Sequence, residues 1–171
     1  MTGRSIVLAL ALLGFLAGCG YQVPGRGGRL PAEVERVHVQ MFENRTYRPF
    51  LEYDLINFTV DRLARSRLLR PVDQDAGADA VLSGTIVAYQ TLPIAYDRQD
   101  QILEYRARMS VEAVLRQSGN GRVLWRGVVS WAQEYPASSD KNVQEINQVV
   151  AIRVISERIA EEIFSRIIED F

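Results

Sequence analysis

Cys19 is the only thiol in this chain of 171 residues, and the residues before it set the chemistry it can do. Leu16-Ala17-Gly18-Cys19 closes an apolar run, Ile6 to Leu16, behind the basic start Met1 to Arg4. Charge, apolar run, small pair and cysteine in that order form the lipobox of a secretory signal. The small residues Ala17 and Gly18 let a signal peptidase clasp the backbone closely. Residues 1–18 are therefore expected to be cleaved. The Cys19 thiol then carries a diacylglycerol, and its new amino group an acyl chain such as palmitate. The apolar run of about eleven residues spans roughly 16 Å as a helix, against about 30 Å of hydrocarbon, which is too short for a membrane span. Two or more acyl chains, each burying CH₂ groups at about 0.8 kcal/mol, hold a protein stably at a bilayer. A lone cysteine excludes an internal disulfide, a redox pair and a cysteine-based metal cluster. Gly20, the second mature residue, favours sorting to the outer membrane over retention at the inner one.

Other reactive side chains form no catalytic constellation. His38 is the only histidine, and no Gly-x-Ser-x-Gly elbow accompanies it. Asp73, Asp75 and Asp79 lack the glycine and closing glutamate of a calcium loop, so they are expected to form a turn. Glu161-Glu162 reads as a solvated helix flank. The expectation is a protein that is not an enzyme and has no metal site and no cofactor beyond the lipid on Cys19.

Binding chemistry is better represented. Arg98, Arg106, Arg108, Arg126 and Lys141 lie in the same half of the chain as Tyr96, Tyr105, Trp131 and Tyr135. Guanidinium forks grip phosphate, while aromatic rings lie against hydrocarbon. These five cations are candidate contacts for a phosphorylated, acylated ligand or a partner wall. The competing reading places Tyr105 and Trp131 in the core and pairs the arginines with Glu104 and Glu112 across strands. The formal net charge of −1 falls by one when Arg4 leaves with the signal. That balance provides no field to attract nucleic acid.

The elements that must position these residues follow from periodicity. Residues 19–32, rich in Gly and Pro, form a tether, and residues 33–171 suffice for one domain. Val37, Val39 and Met41 alternate as a strand, and Phe42 to Thr46 turns the chain. Leu51, Leu55, Ile56, Val60 and Leu63 keep helical spacing, with Pro49 able to sit in the first turn. Ala78 to Tyr89 is apolar on much of both faces and reads as an interior strand, with Leu82, Gly84, Ile86 and Ala88 on one side. Gln90 to Gln101 reads as a loop. Leu103 to Leu115 alternates without a slip, Asn120-Gly121 marks a hairpin turn, and Val123 to Tyr135 returns. Ser139 or Asp140 caps a last helix whose stripe is Ile152, Ile155, Ile159, Ile163 and Ile167, with Val149 beside it. The expected fold is α+β: a two-layer sandwich with two helices on one face of a four-stranded mixed sheet, in the order βαβββα.

With these residues laid out, the chain resembles the LptE family of lipopolysaccharide-assembly lipoproteins. The resemblance rests on stretches in order: Cys19-Gly20-Tyr21, Phe42-x-Asn44-x-Thr46, Ala78-Asp79-Ala80-Val81-Leu82-Ser83-Gly84, Pro93-Ile94-Ala95-Tyr96, Glu104-Tyr105-Arg106, Val123-Leu124-Trp125 and Glu134-Tyr135. It implies the same sandwich, lodged as a plug in the LptD β-barrel on the periplasmic side of the outer membrane. It also implies help with barrel assembly and with moving lipopolysaccharide to the surface. An accessory subunit of another envelope lipid-trafficking complex of the ABC type, or of a cell-envelope assembly complex, is the alternative. A lipid-anchored enzyme using His38 is a third.

Overall fold

The computed structural model describes residues 34–169. The signal, Cys19 and the tether lie outside the described residues. In chain order the elements are β1 (Arg36–Val39), β2 (Glu43–Asn44), α1 (Leu51–Ala64), β3 (Arg70–Val72), a 3₁₀ turn (Asp75–Gly77), β4 (Ala80–Tyr96), β5 (Ile102–Gln117), β6 (Val123–Pro136) and α2 (Lys141–Glu169).

The expected α+β class and mixed sheet are present, with two helices, but the sheet has six strands rather than four. Its order is β3-β1-β4-β5-β6, with β2 pairing β4 beyond β1. Two short strands escaped periodicity. β2 has two residues, below any detectable alternation. β3 reads Arg-Pro-Val, and Pro71 lacks the N–H that an interior strand needs, so it lies at the sheet edge. The β1–α1–β3 and β1–β4 connections are parallel, and the long hairpins β4–β5–β6 are antiparallel.

Two further expectations need correction. Most of Gln90–Gln101 is strand, because β4 runs to Tyr96 and only the residues that follow it turn the chain. The Ala88 face assignment also fails. The register slips between Ile86 and Ala88, so Ala88 sits opposite Ser110 on the outer face and Tyr89 opposite Met109 in the core. An extra residue in one strand reverses the alternation after it.

One core joins the layers. Leu82, Ile86, Met109, Val111 and Leu115 from the sheet meet Leu51, Leu55 and Leu63 of α1 and Ile155, Ile159 and Ile163 of α2. The helices therefore cover a single face and leave the other open. Asp140 caps α2: its Oδ1 accepts from the Asn142 and Val143 amides at 2.7 and 3.2 Å. Pro49 stays outside α1. Phe50 takes the cap position with φ +71°, a left-handed conformation that is unusual for a bulky residue.

The motif residues hold this frame. Asn44 Oδ1 accepts from the Thr46 amide and hydroxyl at 3.0 and 2.8 Å. Its Nδ2 donates to the Arg48 carbonyl and to Glu52, fixing the entry to α1. A side chain on Gly84 would stand 2.6 Å from the Phe42 ring and 2.8 Å from the Glu112 carbonyl oxygen, so Phe42 packs only where no Cβ exists.

Candidate interaction surface

The open face of the sheet is built by even-numbered residues of β5 and β6. Cross-strand rows run Leu92–Arg106–Glu134, Gln90–Arg108–Ala132, Ala88–Ser110–Ser130, Thr85–Glu112–Val128 and Ser83–Val114–Arg126. Alternation places these side chains opposite the core. Arg106 and Arg108 stand two residues apart on one strand, about 7 Å along it. Arg126 lies opposite Val114, six residues further along, or about 20 Å away. The five expected cations therefore do not form one cluster.

Arg98 lies at the tip of the β4–β5 hairpin, where Asp97 Oδ1 accepts the Gln99 and Gln101 amides at 2.8 and 2.9 Å. Lys141 is the first residue of α2. Between their segments opens a cleft of about 450 Å³ lined by Asp100, Gln101, Ile102, Tyr105, Ala137 and Ser138 among others. Arg106 is already engaged: its Nε and Nη2 donate to Glu134 Oε1 at 3.1 and 2.6 Å. Its partner is thus Glu134, not Glu104 or Glu112. Both side chains are about half exposed, so water screens the pair. Arg98, Arg108, Arg126 and Lys141 form no ion pair among the described residues.

The aromatic neighbours divide. Tyr135 is buried and stacks on Tyr105 with ring centroids 5.6 Å apart. Burial pushes the Tyr135 phenol above its ordinary pKa. Trp131 is on the helix side of β6 yet 40% exposed, and Tyr96 is exposed at the hairpin end. His38 bonds the Val72 carbonyl through Nδ1 at 3.1 Å, tying β1 to β3. Among the described residues no group of His, Cys, Asp and Glu is placed to hold a metal ion. No helix there is long and apolar enough to cross a membrane.

Sequence reasoning missed a polar cluster beneath α2. Gln148 donates to the Tyr89 hydroxyl at 2.9 Å, Tyr47 tilts against Tyr89 at 6.2 Å, and Arg48 pairs with Glu145. It also missed several exposed apolar side chains. Phe50 and Tyr53 stack at 6.0 Å, and Val143, Ile146 and Val150 are exposed on the first turns of α2. The i, i+3, i+7 spacing of those three was the available signal. Val149, expected beside the core stripe, is exposed as well.

Comparison with known proteins agrees with this architecture. The LptE lipopolysaccharide-assembly family matches residues 34–167. Among solved structures, lipoprotein B from Nitrosomonas europaea superimposes with TM-score 0.55 at 12% identity, covering 87% of this chain and 90% of that one. Rare lipoprotein B from Shewanella oneidensis gives 0.53 at 12%, covering 77% and 92%. The PelC dodecamer from Paraburkholderia phytofirmans gives 0.52 at 16%, covering 81% and 92%. At such identities these likenesses speak for the fold alone. Among curated protein sequences none matches this chain. The family match takes in every described element from β1 through nearly all of α2, and the chain belongs to the LptE lipopolysaccharide-assembly family.

Proposed function

We propose that this protein is a lipid-anchored, non-enzymatic subunit at the periplasmic side of the outer membrane. It plugs an LptD-like β-barrel, assists the barrel's assembly, and helps deliver lipopolysaccharide to the cell surface. The family match over residues 34–167 carries the reading. The open sheet face supports it. That face mixes charged and hydroxyl side chains with Leu92, Val114 and Val128 and carries Arg106, Arg108 and Arg126, which suit the polar inner wall of a large barrel. Asp100 and Ser138, close in sequence to Arg98 and Lys141, line the end cleft, and those two cations could take lipid phosphates there while Tyr105 offers a ring to acyl chains. Cys19 supplies the anchor through diacylglycerol and an N-acyl chain. Nothing in this role calls for a nucleic acid.

The test is isolation of the native complex from gently solubilised outer membrane, with mass spectrometry of what accompanies it. A large β-barrel in near-equal amount, and less surface lipopolysaccharide on depletion, are expected. An inner-membrane permease in place of the barrel, with surface lipopolysaccharide unchanged on depletion, overturns the reading.

A further inference from the structure

The first turn of α1 and the early turns of α2 border a groove of about 310 Å³. The buried Leu51 and Ile152 and the exposed Phe50 and Val149 line it. Arg48 and Glu145 line it too, and they pair with each other. Asp54, half-buried in the same lining, makes no ion pair among the described residues. Arg153 of α2 is turned over the Phe58 ring, 5.8 Å from its centroid, and makes no ion pair among them either. The groove is thus apolar with one uncompensated carboxylate.

Phe50 is held at this groove in a strained conformation. Its φ of +71° is left-handed, where a Cβ crowds the backbone and glycine or asparagine is at home. Its ring is 67% exposed, and its aromatic neighbour is Tyr53, which is exposed as well. A bulky side chain with a strained backbone and a solvated ring contributes little to the fold. Both costs are offset when a partner covers the ring.

We infer that, given the barrel role proposed above, this groove receives a loop of the surrounding barrel through one bulky apolar side chain beside a lysine or arginine. The lumen wall of a large barrel is polar, so it does not match an apolar groove; an apolar anchor within the lumen comes from a loop turned inward. Asp54 selects the neighbour, because a half-buried carboxylate lacking a partner takes a cation. Phe50 and Val149 close on the anchor, and the buried Leu51 and Ile152 form its floor. The molecule then meets the barrel on its helix layer as well as on the open sheet face.

Isolation of the native complex from cells producing the full-length chain tests this docking. Phe50→Gly and Phe50→Asn relieve the left-handed strain, so neither should unfold at a lower midpoint than the parent. Both should lower recovery of the barrel on the order of tenfold, and Asp54→Lys should do the same. A photoreactive residue in place of Val149 should cross-link to a barrel peptide that holds a lysine or arginine next to a large apolar residue. Changing that barrel cation to aspartate should restore recovery with Asp54→Lys. The docking is overturned by parent-level recovery with both Phe50 variants, or by a lowered midpoint in both. It is equally overturned if the Val149 adduct forms with a different protein or with a barrel peptide lacking a cation. A parent chain that recovers no barrel at all overturns the barrel role itself, and the docking with it.

Discussion

Asp79 shows how one motif residue serves the frame. Its Oδ2 accepts the Glu35 and Arg36 amides at 3.1 and 2.8 Å, and Arg36 Nη2 donates to Oδ1 at 2.8 Å. The Arg36 guanidinium, followed by these amides, holds the carboxyl down to about 2. A carboxyl depressed in the folded state stabilises it above the unfolded pKa, near 4. That stability is lost as pH falls through the folded value. Asp79→Asn should therefore lower the thermal midpoint at neutral pH and flatten the decline in stability between about pH 4 and pH 2. Unfolding curves across that window check both effects. Gly84 makes a steric claim. Gly84→Ala forces a methyl against the Phe42 ring and the Glu112 carbonyl, and should cost about 1–3 kcal/mol in denaturant titration. Both residues were legible as parts of a family pattern, but their work was not. The partners of Asp79 stand 43 and 44 positions away in the chain.

At the scale of elements, strong periodicity was read correctly and weak or interrupted periodicity was not. The inward face of β5, Ala107 to Leu115, is buried without exception at alternate positions, as the sequence implied. β3 and β2 went unseen, since three residues with a proline and two residues alone carry no period. The slip after Ile86 was equally silent, because Ala88 and Tyr89 can both face a core. Capping was legible: Asp140→Ala should cost about 1 kcal/mol by freeing the Asn142 and Val143 amides, measured by chemical denaturation. The exposed valines and isoleucine of α2 should leave stability within about 0.5 kcal/mol when changed to alanine, unlike Ile159 on its buried side.

Across the whole molecule, the covered face of the sheet carries stability and the open face the proposed binding. Ile159→Ala opens a cavity between α2 and the sheet and should cost about 2–5 kcal/mol. Arg108→Glu, on the open face, should leave the unfolding midpoint nearly unchanged while weakening recovery of the proposed barrel. Comparing melting curves with co-isolation yields separates the two faces. The sequence by itself determined the alternating strand β5 and the apolar stripe of α2, because each is written in neighbouring residues; the lipid attachment expected at Cys19 is read from the same kind of local pattern and lies outside the described residues. Only the tertiary structure decided which cations share a surface. Arg106 and Arg108 share one end of the open face, whereas Arg126 stands about 20 Å away. That spacing depends on the register of β6 on β5, which is fixed by pairing between residues far apart in the chain.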